Sequence, residues 1–256
     1  MATFQGVFRS AALGMDTHLS VVLPHDFEAP NLREPCPVLY LLHGLSQGSD
    51  AWLRRSNVER YCREYGVALV MPEVQRSFYA DMRFGQNYFT YVTTELPDLC
   101  RQMFHISAER QDTFVAGLSM GGYAALKCAF AYPERYAGVA SFSGAVDIHS
   151  VVRDYANHVT TKEFIAVLGT DLSIGAQDDV FRMAEEASRS PACPRVLMTC
   201  GEQDYLWNMN TKLRDHLQKL PIDFSFHSWD GVHDWDFWDP SIRLALDFFL
   251  GQDLSV

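Results

Sequence analysis

A chain of 256 residues, 48 % of them apolar, is long enough for one large α/β domain or two small ones, with a sizeable buried core. Its 21 basic and 32 acidic residues leave a net charge of −11 with no Lys/Arg cluster to offset it, which argues against nucleic acid and anionic membranes as partners. No apolar run approaches membrane-spanning length, "MATFQGVFRSAALG" lacks the pattern of a signal peptide, and the six scattered cysteines (Cys36, Cys62, Cys100, Cys128, Cys193, Cys200) form no CxxC, so a cytoplasmic protein with reduced thiols is expected.

The elements alternate along the chain. Leu19 to Pro24 reads as a strand. Pro37 to Gly44, "PVLYLLHG", is a continuous apolar run ending at glycine, the pattern of a strand buried on both faces. A helix over Asn57 to Tyr65 follows Ser56 as a possible N-cap. Val67 to Pro72 repeats the buried-strand pattern. Tyr88 to Phe104 has helical spacing, with Pro97 expected to kink it or to start a second helix. Thr113 to Gly117 is again a buried strand, and Met120 to Ala131 is a helix that is small and apolar almost all round. Gly138 to Gly144 is the next strand. Ala145 to Pro194 breaks the rhythm with polar loops and one clear helix, Val180 to Ser188. It is expected to be an insertion over the C-terminal edge of the sheet within a single domain spanning 1–256. Arg195 to Gly201 is a strand, Asn208 to Leu220 a helix, Ile222 to Trp229 an alternating strand nearer the sheet edge, and Ser241 to Leu250 a final helix. Strands alternating with helices imply βαβ units and a mostly parallel sheet, whose sites form beyond the C-terminal strand ends.

"GLSMG", Gly117 to Gly121, matches G-x-S-x-G between a strand and a helix. A strand turning abruptly into a helix crowds the positions two before and two after the turn. Gly117 and Gly121 present no Cβ there, and Gly122 allows close helix packing. Ser119 is then pushed out of the sheet edge at the positive end of the following helix. A structural turn is the plain alternative, since glycine and serine are common in turns.

A serine hydroxyl needs a base, and the base needs an orienting acid. Asp204 lies three residues past the strand-ending Gly201; Glu202 is its rival but sits too close to the strand end for a loop to aim it. Among the histidines, His216 lies in a helix beside charged residues and His227 lies inside a strand. His233 occupies the loop "WDGVHDWDFW", which can present an imidazole to a neighbouring strand end. The order Ser119, Asp204, His233 is that of an α/β-hydrolase. Backbone N–H groups of Met120 and of Leu45, in "HGLSQGSDAW", are the expected oxyanion donors, with His43 fixing that loop by hydrogen bonding. Trp52, Tyr79 and Trp207, each near a strand's C-terminal end, are candidate walls of an acyl pocket. Trp235 and Trp238 are expected to pack against the His233 loop.

The segments "HGLSQGSDAWLRRSNVERY", "SFYADM", "GLSMGGYAALKCA", "PERYAGVASFSGAVD", "CGEQDYLW" and "GVHDWDFW" together resemble the esterase D-like branch of the α/β-hydrolases, especially its tributyrin-esterase group. The resemblance spans roughly Leu39 to Phe249. It implies hydrolysis of short-chain acyl esters by a metal-free Ser-His-Asp mechanism on Ser119, Asp204 and His233. The S-formylglutathione hydrolases are a sister group sharing "HGL" and "SMGG", but they usually carry a histidine where this chain has Tyr123. No cofactor fingerprint is present, whether HExxH, P-loop or Rossmann glycine pattern. The expected partner is a small-molecule acyl ester, with a homo-oligomer an open possibility. A glutathione thioesterase, an acyltransferase on a related fold and a non-catalytic binding protein remain the alternatives.

Overall fold

The computed structural model describes residues 1–25, 31–155 and 161–251. The described residues hold an eight-stranded sheet in the order β1-β2-β4-β3-β5-β6-β7-β8. Its strands are β1 (Ala2–Ser10), β2 (Met15–Leu23), β3 (Val38–Leu42), β4 (Ala68–Pro72), β5 (Thr113–Leu118), β6 (Gly138–Phe142), β7 (Arg195–Gly201) and β8 (Phe224–Trp229). β1 and β2 pair antiparallel, as do β2 and β4; every pairing from β4 to β8 is parallel. This is the α/β-hydrolase architecture expected.

Helices join the strands: α1 (Ala51–Arg55), α2 (Val58–Tyr65), α3 (Tyr88–Thr90), α4 (Leu96–Met103), α5 (Met120–Ala131), α6 (Ile148–Tyr155), α7 (Thr161–Leu168), α8 (Val180–Ala187), α9 (Trp207–Leu217) and α10 (Trp235–Leu250). The sheet is covered on both faces, so β3, β4 and β5 are buried along their whole length. Successive β3 residues point to opposite faces: Val38, Tyr40 and Leu42 join one apolar cluster, while Leu39 and Leu41 join the other. β8 lies at the sheet edge and is only partly covered.

Several boundaries differ from the sequence expectation for physical reasons. β1 was not foreseen because most of its side chains are exposed, so it carries no burial pattern. Its hairpin is held by Glu95, whose carboxylate accepts from the Ser10 hydroxyl at 2.6 Å and the Ala12 N–H at 3.0 Å. α3 runs through a π-helical turn (Tyr91–Glu95) into α4, where Pro97 stands at the helix start. Pro97 has no N–H to give the carbonyl four residues back; Arg135 donates to that carbonyl, on Thr93, instead. α10 begins at Trp235, ahead of the expected start at Ser241, because Asp234 caps it by accepting from the Phe237 N–H at 3.2 Å.

Within the segment from Ala145 to Pro194, α8 packs against α5 and α9 as the crossover between β6 and β7. The 3₁₀ turn before it ties down the helix that follows Ser119. There Asp178 accepts from the Lys127 ammonium at 2.6 Å, and its carbonyl accepts from the Tyr123 hydroxyl at 2.8 Å. Lys127 is the charge in an otherwise apolar α5, and its side chain is only 3 % exposed.

Removing the Asp178 carboxylate strands that ammonium in the protein interior. Asp178→Ala should therefore destabilise the fold by about 3 kcal/mol, read by urea unfolding. A loss below about 0.5 kcal/mol would be the behaviour of a solvated surface pair and would contradict this placement.

Candidate active site

β5 delivers Ser119 to a one-residue junction. Its φ of 53° and ψ of −116° belong to neither strand nor helix, and α5 begins at the next residue. Such a conformation costs about 1–3 kcal/mol and persists only where the surroundings enforce it. Here the Ser119 N–H donates to Phe142 O at 2.9 Å, while Ser119 O accepts from the N–H groups of Tyr123 at 3.1 Å and Ala145 at 3.0 Å. The two flanking glycines are required sterically. A Cβ on Gly117 would lie 2.5 Å from Gly121 O, and one on Gly121 would lie 2.4 Å from Leu42 O. Both obstacles are backbone and cannot swing aside.

The loops after β7 and β8 are laced together, which brings Asp204 to His233. The Glu202 N–H donates to Trp229 O at 3.1 Å and the Gln203 N–H to Gly231 O at 3.0 Å. The Gly231 N–H returns a bond to the Gln203 side-chain oxygen at 2.8 Å. His233 Nδ1 then lies 2.9 Å from Asp204 Oδ2, and its Nε2 lies 3.0 Å from Ser119 Oγ. A carboxylate can only accept, so Nδ1 carries the proton and Nε2 offers its lone pair to the serine hydroxyl.

The Asp204 side chain is fully buried. Burial pushes its pKa up, but the hydrogen bond and charge of His233, aided by the Leu206 N–H at 2.8 Å, outweigh that and hold the carboxyl below its ordinary value. The His233 ring is wedged between Trp238, edge-on at 4.9 Å, and Tyr205 at 4.5 Å. Trp235 backs Trp238 at 5.4 Å.

Leu45 lies in the turn Gly44 to Gln47, just past β3. The Gly44 N–H donates to Gln47 Oε1 at 3.1 Å, and Gly44 O accepts from the Gln47 N–H at 3.3 Å. His43 is buried beneath this turn. The Val74 N–H donates to its Nε2 at 3.2 Å, so its Nδ1 holds the proton and donates to Gly44 O at 2.8 Å. Glu73 stands 3.6 Å from His43 Nε2. Its own burial raises its pKa, yet His43 and the N–H groups of Gln75 and Ser49 bring it below the ordinary carboxyl value. Among the described residues, the N–H groups of Leu45 and Met120 donate to no protein acceptor.

The rival residues lie elsewhere. Glu202 accepts from Ser228 at the surface, His216 pairs with Phe181 O and Glu185, and His227 is exposed on β8. The aromatic trio also departs from expectation. Trp52 is 1 % exposed, donates to Leu42 O at 3.3 Å and packs edge-on against Trp235. Tyr79 is 0 % exposed and donates to His43 O at 3.0 Å. Neither has surface to offer a substrate; both support the backbone that leads into the Leu45 turn. Trp207, at the start of α9, is partly buried against Phe226. Tyr205 was missed from the sequence: it is 65 % exposed and stands beside His233. The described residues bring together no group of three or more His, Cys, Asp or Glu able to hold a metal. None of their helices is long and apolar enough to cross a membrane.

The model of the Esterase family, described as "Putative esterase", matches residues 10–249. The chain belongs to the Esterase family. It is 31 % identical to an acetyl esterase of Caldicellulosiruptor saccharolyticus over 97 % of this chain and 98 % of that one. It is 29 % identical to an S-formylglutathione hydrolase of Paracoccus denitrificans over 68 % of this chain and 67 % of that one. The solved structure of the Staphylococcus aureus fluorophosphonate-binding serine hydrolase F superposes with a TM-score of 0.88 at 30 % identity, covering 98 % of this chain and 99 % of that one. The esterase is thus a carboxylic ester hydrolase of the serine hydrolase type.

The lowered Asp204 pKa gives a signed pH test. The contribution of a carboxyl depressed in the folded state is whole above its unfolded pKa of about 3.9 and disappears as pH falls through the lower folded value. Asp204→Asn should therefore melt below the wild type at neutral pH, and the gap should narrow as pH drops below about 4. A gap of equal size at both pH values would contradict a buried, ionised Asp204 in the folded esterase.

Proposed function

We propose that the esterase hydrolyses short-chain acyl esters, acetyl to butyryl, through an acyl-Ser119 intermediate. The observation that carries this is the unbroken chain from Ser119 Oγ to His233 Nε2 at 3.0 Å and from His233 Nδ1 to the Asp204 carboxylate at 2.9 Å. In this mechanism His233 Nε2 takes the serine proton as Oγ bonds to the ester carbonyl carbon. The charge that develops on the carbonyl oxygen is met by the N–H groups of Leu45 and Met120. His233 then gives its proton to the alcohol oxygen as the C–O bond breaks. Water, deprotonated by the same nitrogen, attacks the acyl carbon, and His233 returns that proton to Ser119 Oγ as the C–Oγ bond breaks, which releases the acid and free Ser119. Asp204 stays ionised throughout, fixes the ring tautomer and stabilises the imidazolium.

The preference for small acyl groups is supported by the motif resemblance and by the acetyl esterase among the relatives. A thioester reading is favoured by the relatives named S-formylglutathione hydrolase. Against it stands Tyr123, where those enzymes usually carry histidine. Its side chain is buried and its hydroxyl is spent on Asp178 O, so it is unavailable to a glutathione moiety.

Ser119→Ala should lower kcat by about 10⁴-fold or more while leaving the fold intact; retention of a tenth of wild-type turnover would place the nucleophile elsewhere. Across p-nitrophenyl esters, kcat/KM should peak between acetyl and butyryl. A value still rising towards decanoyl, or a far larger one for S-formylglutathione, would overturn the short-ester assignment.

A further inference from the structure

Ser46 follows Leu45 in the turn Gly44 to Gln47, and its φ is 65°. Leu45 itself is not in the left-handed region, so positive φ falls at the third of the four turn residues. That is the signature of a type II turn, which favours glycine there. A serine in this place is strained, and it is the exposed residue of a turn whose other three members are buried or half-buried.

One side chain reaches it from outside. Arg76, in the loop after β4, donates from Nη1 to Ser46 Oγ. The other edge of the same guanidinium engages Glu163 on α7 in a two-point bond, with Nη2 to Oε2 at 2.9 Å. A planar fork held on one edge by a carboxylate has little freedom on the other. The base of this bridge is firm: the segment after Arg76 docks on α7, with Phe78 against Phe164 at 4.8 Å. The N–H groups of Arg83 and Phe84 donate to Val167 O at 3.0 Å and Ala166 O at 2.8 Å.

We propose that Arg76 is a positioning residue for ester hydrolysis: held by Glu163, it pins the strained Ser46 and so keeps the adjacent Leu45 N–H aimed at the developing oxyanion. This rests on the proposed role of Leu45 as an oxyanion donor. Arg76 touches no reacting atom in this scheme. It acts through the turn, and it couples α7 to the stabilisation of the transition state. A loosened donor loses its preorganisation without changing how the ground-state ester binds, so the effect belongs in kcat.

The test is a cycle of Arg76→Ala, Ser46→Gly and the double variant, with Arg76→Lys and Glu163→Gln as milder probes. Rates are normalised to sites reactive with a fluorophosphonate. Arg76→Ala should lower kcat about tenfold with KM within about twofold, a fraction of the roughly 10²–10³-fold that follows outright loss of an oxyanion donor. Amide hydrogen exchange over residues 44–47 should quicken. Lysine can pair with Glu163 or reach Ser46 but cannot fork between them, so Arg76→Lys should fall between the two. Glu163→Gln, which weakens the anchor, should also lower kcat. Glycine accepts the positive φ unaided, so in the Ser46→Gly background Arg76→Ala should cost little further. An Arg76→Ala variant with a lower Tm but unchanged kcat and unchanged exchange would overturn the proposal, as would a full tenfold loss persisting beside Ser46→Gly. If Ser119→Ala kept its activity, the nucleophile assignment would fail on its own. The exchange measurement would still decide whether Arg76 holds the turn.

Discussion

Ser119 is held at φ 53° between a parallel strand and a helix, and the placement of the other site groups follows from that junction. The turn is so abrupt that β5 and α5 approach with only glycine at Gly117 and Gly121, and the carbonyl of Leu42 fills the space a side chain would take. The backbone of β3 is therefore pressed against the start of α5. This same closeness brings Gly44, which opens the Leu45 turn, against Ser119, where a Cβ on Gly44 would lie 3.5 Å from the Ser119 Cβ, at the N-terminal end of a helix whose dipole favours negative charge. On the other flank, Phe142 of β6 accepts from the Ser119 N–H, and β7 and β8 follow in parallel order. Their loops leave at the same edge and carry Asp204 and His233.

Strain gathers around this edge. Ser46, Phe78, Tyr79, Ser119 and Ser143 all have positive φ without being glycine. Each is tied by hydrogen bonds or apolar packing. Tyr79 bonds to His43 O, the Ser143 N–H donates to Thr199 O at 2.8 Å, and Phe78 packs on Phe164. Conformations that the chain would not adopt alone are thus enforced by the sheet and by the loops behind it. Groups fixed in this way need little reorganisation when charge develops during a reaction, which is the physical basis of preorganised catalysis.

The sheet and the serine junction were legible because their constraints are local. A strand buried on both faces must be apolar throughout, and "PVLYLLHG" and "RVLMTCG" show it in consecutive residues. The serine turn demands glycines at fixed offsets, and they are present. What escaped the sequence depends on which face an element meets. The position of Trp52 after β3 says that it lies near the strand end, yet the ring turns into the cluster shared with α10, away from any substrate. β1 is exposed and carries no pattern. The last helix was expected from Ser241, but the Asp234 cap starts α10 at Trp235. Arg76 and Glu163 are far apart in sequence, and each reads singly as an ordinary surface charge. The partner of the Lys127 ammonium, Asp178, comes from a loop distant in sequence.

The central claim is that Ser119 carries the acyl group between the two halves of the reaction. Mixing the esterase with p-nitrophenyl acetate, quenching in acid within the first turnovers and mapping peptides by mass spectrometry tests it directly. One acetyl group should be found on the peptide containing Ser119 and should vanish as turnover is allowed to finish. Rapid hydrolysis with no acetyl on that peptide, or with acetyl on another residue, would contradict the account.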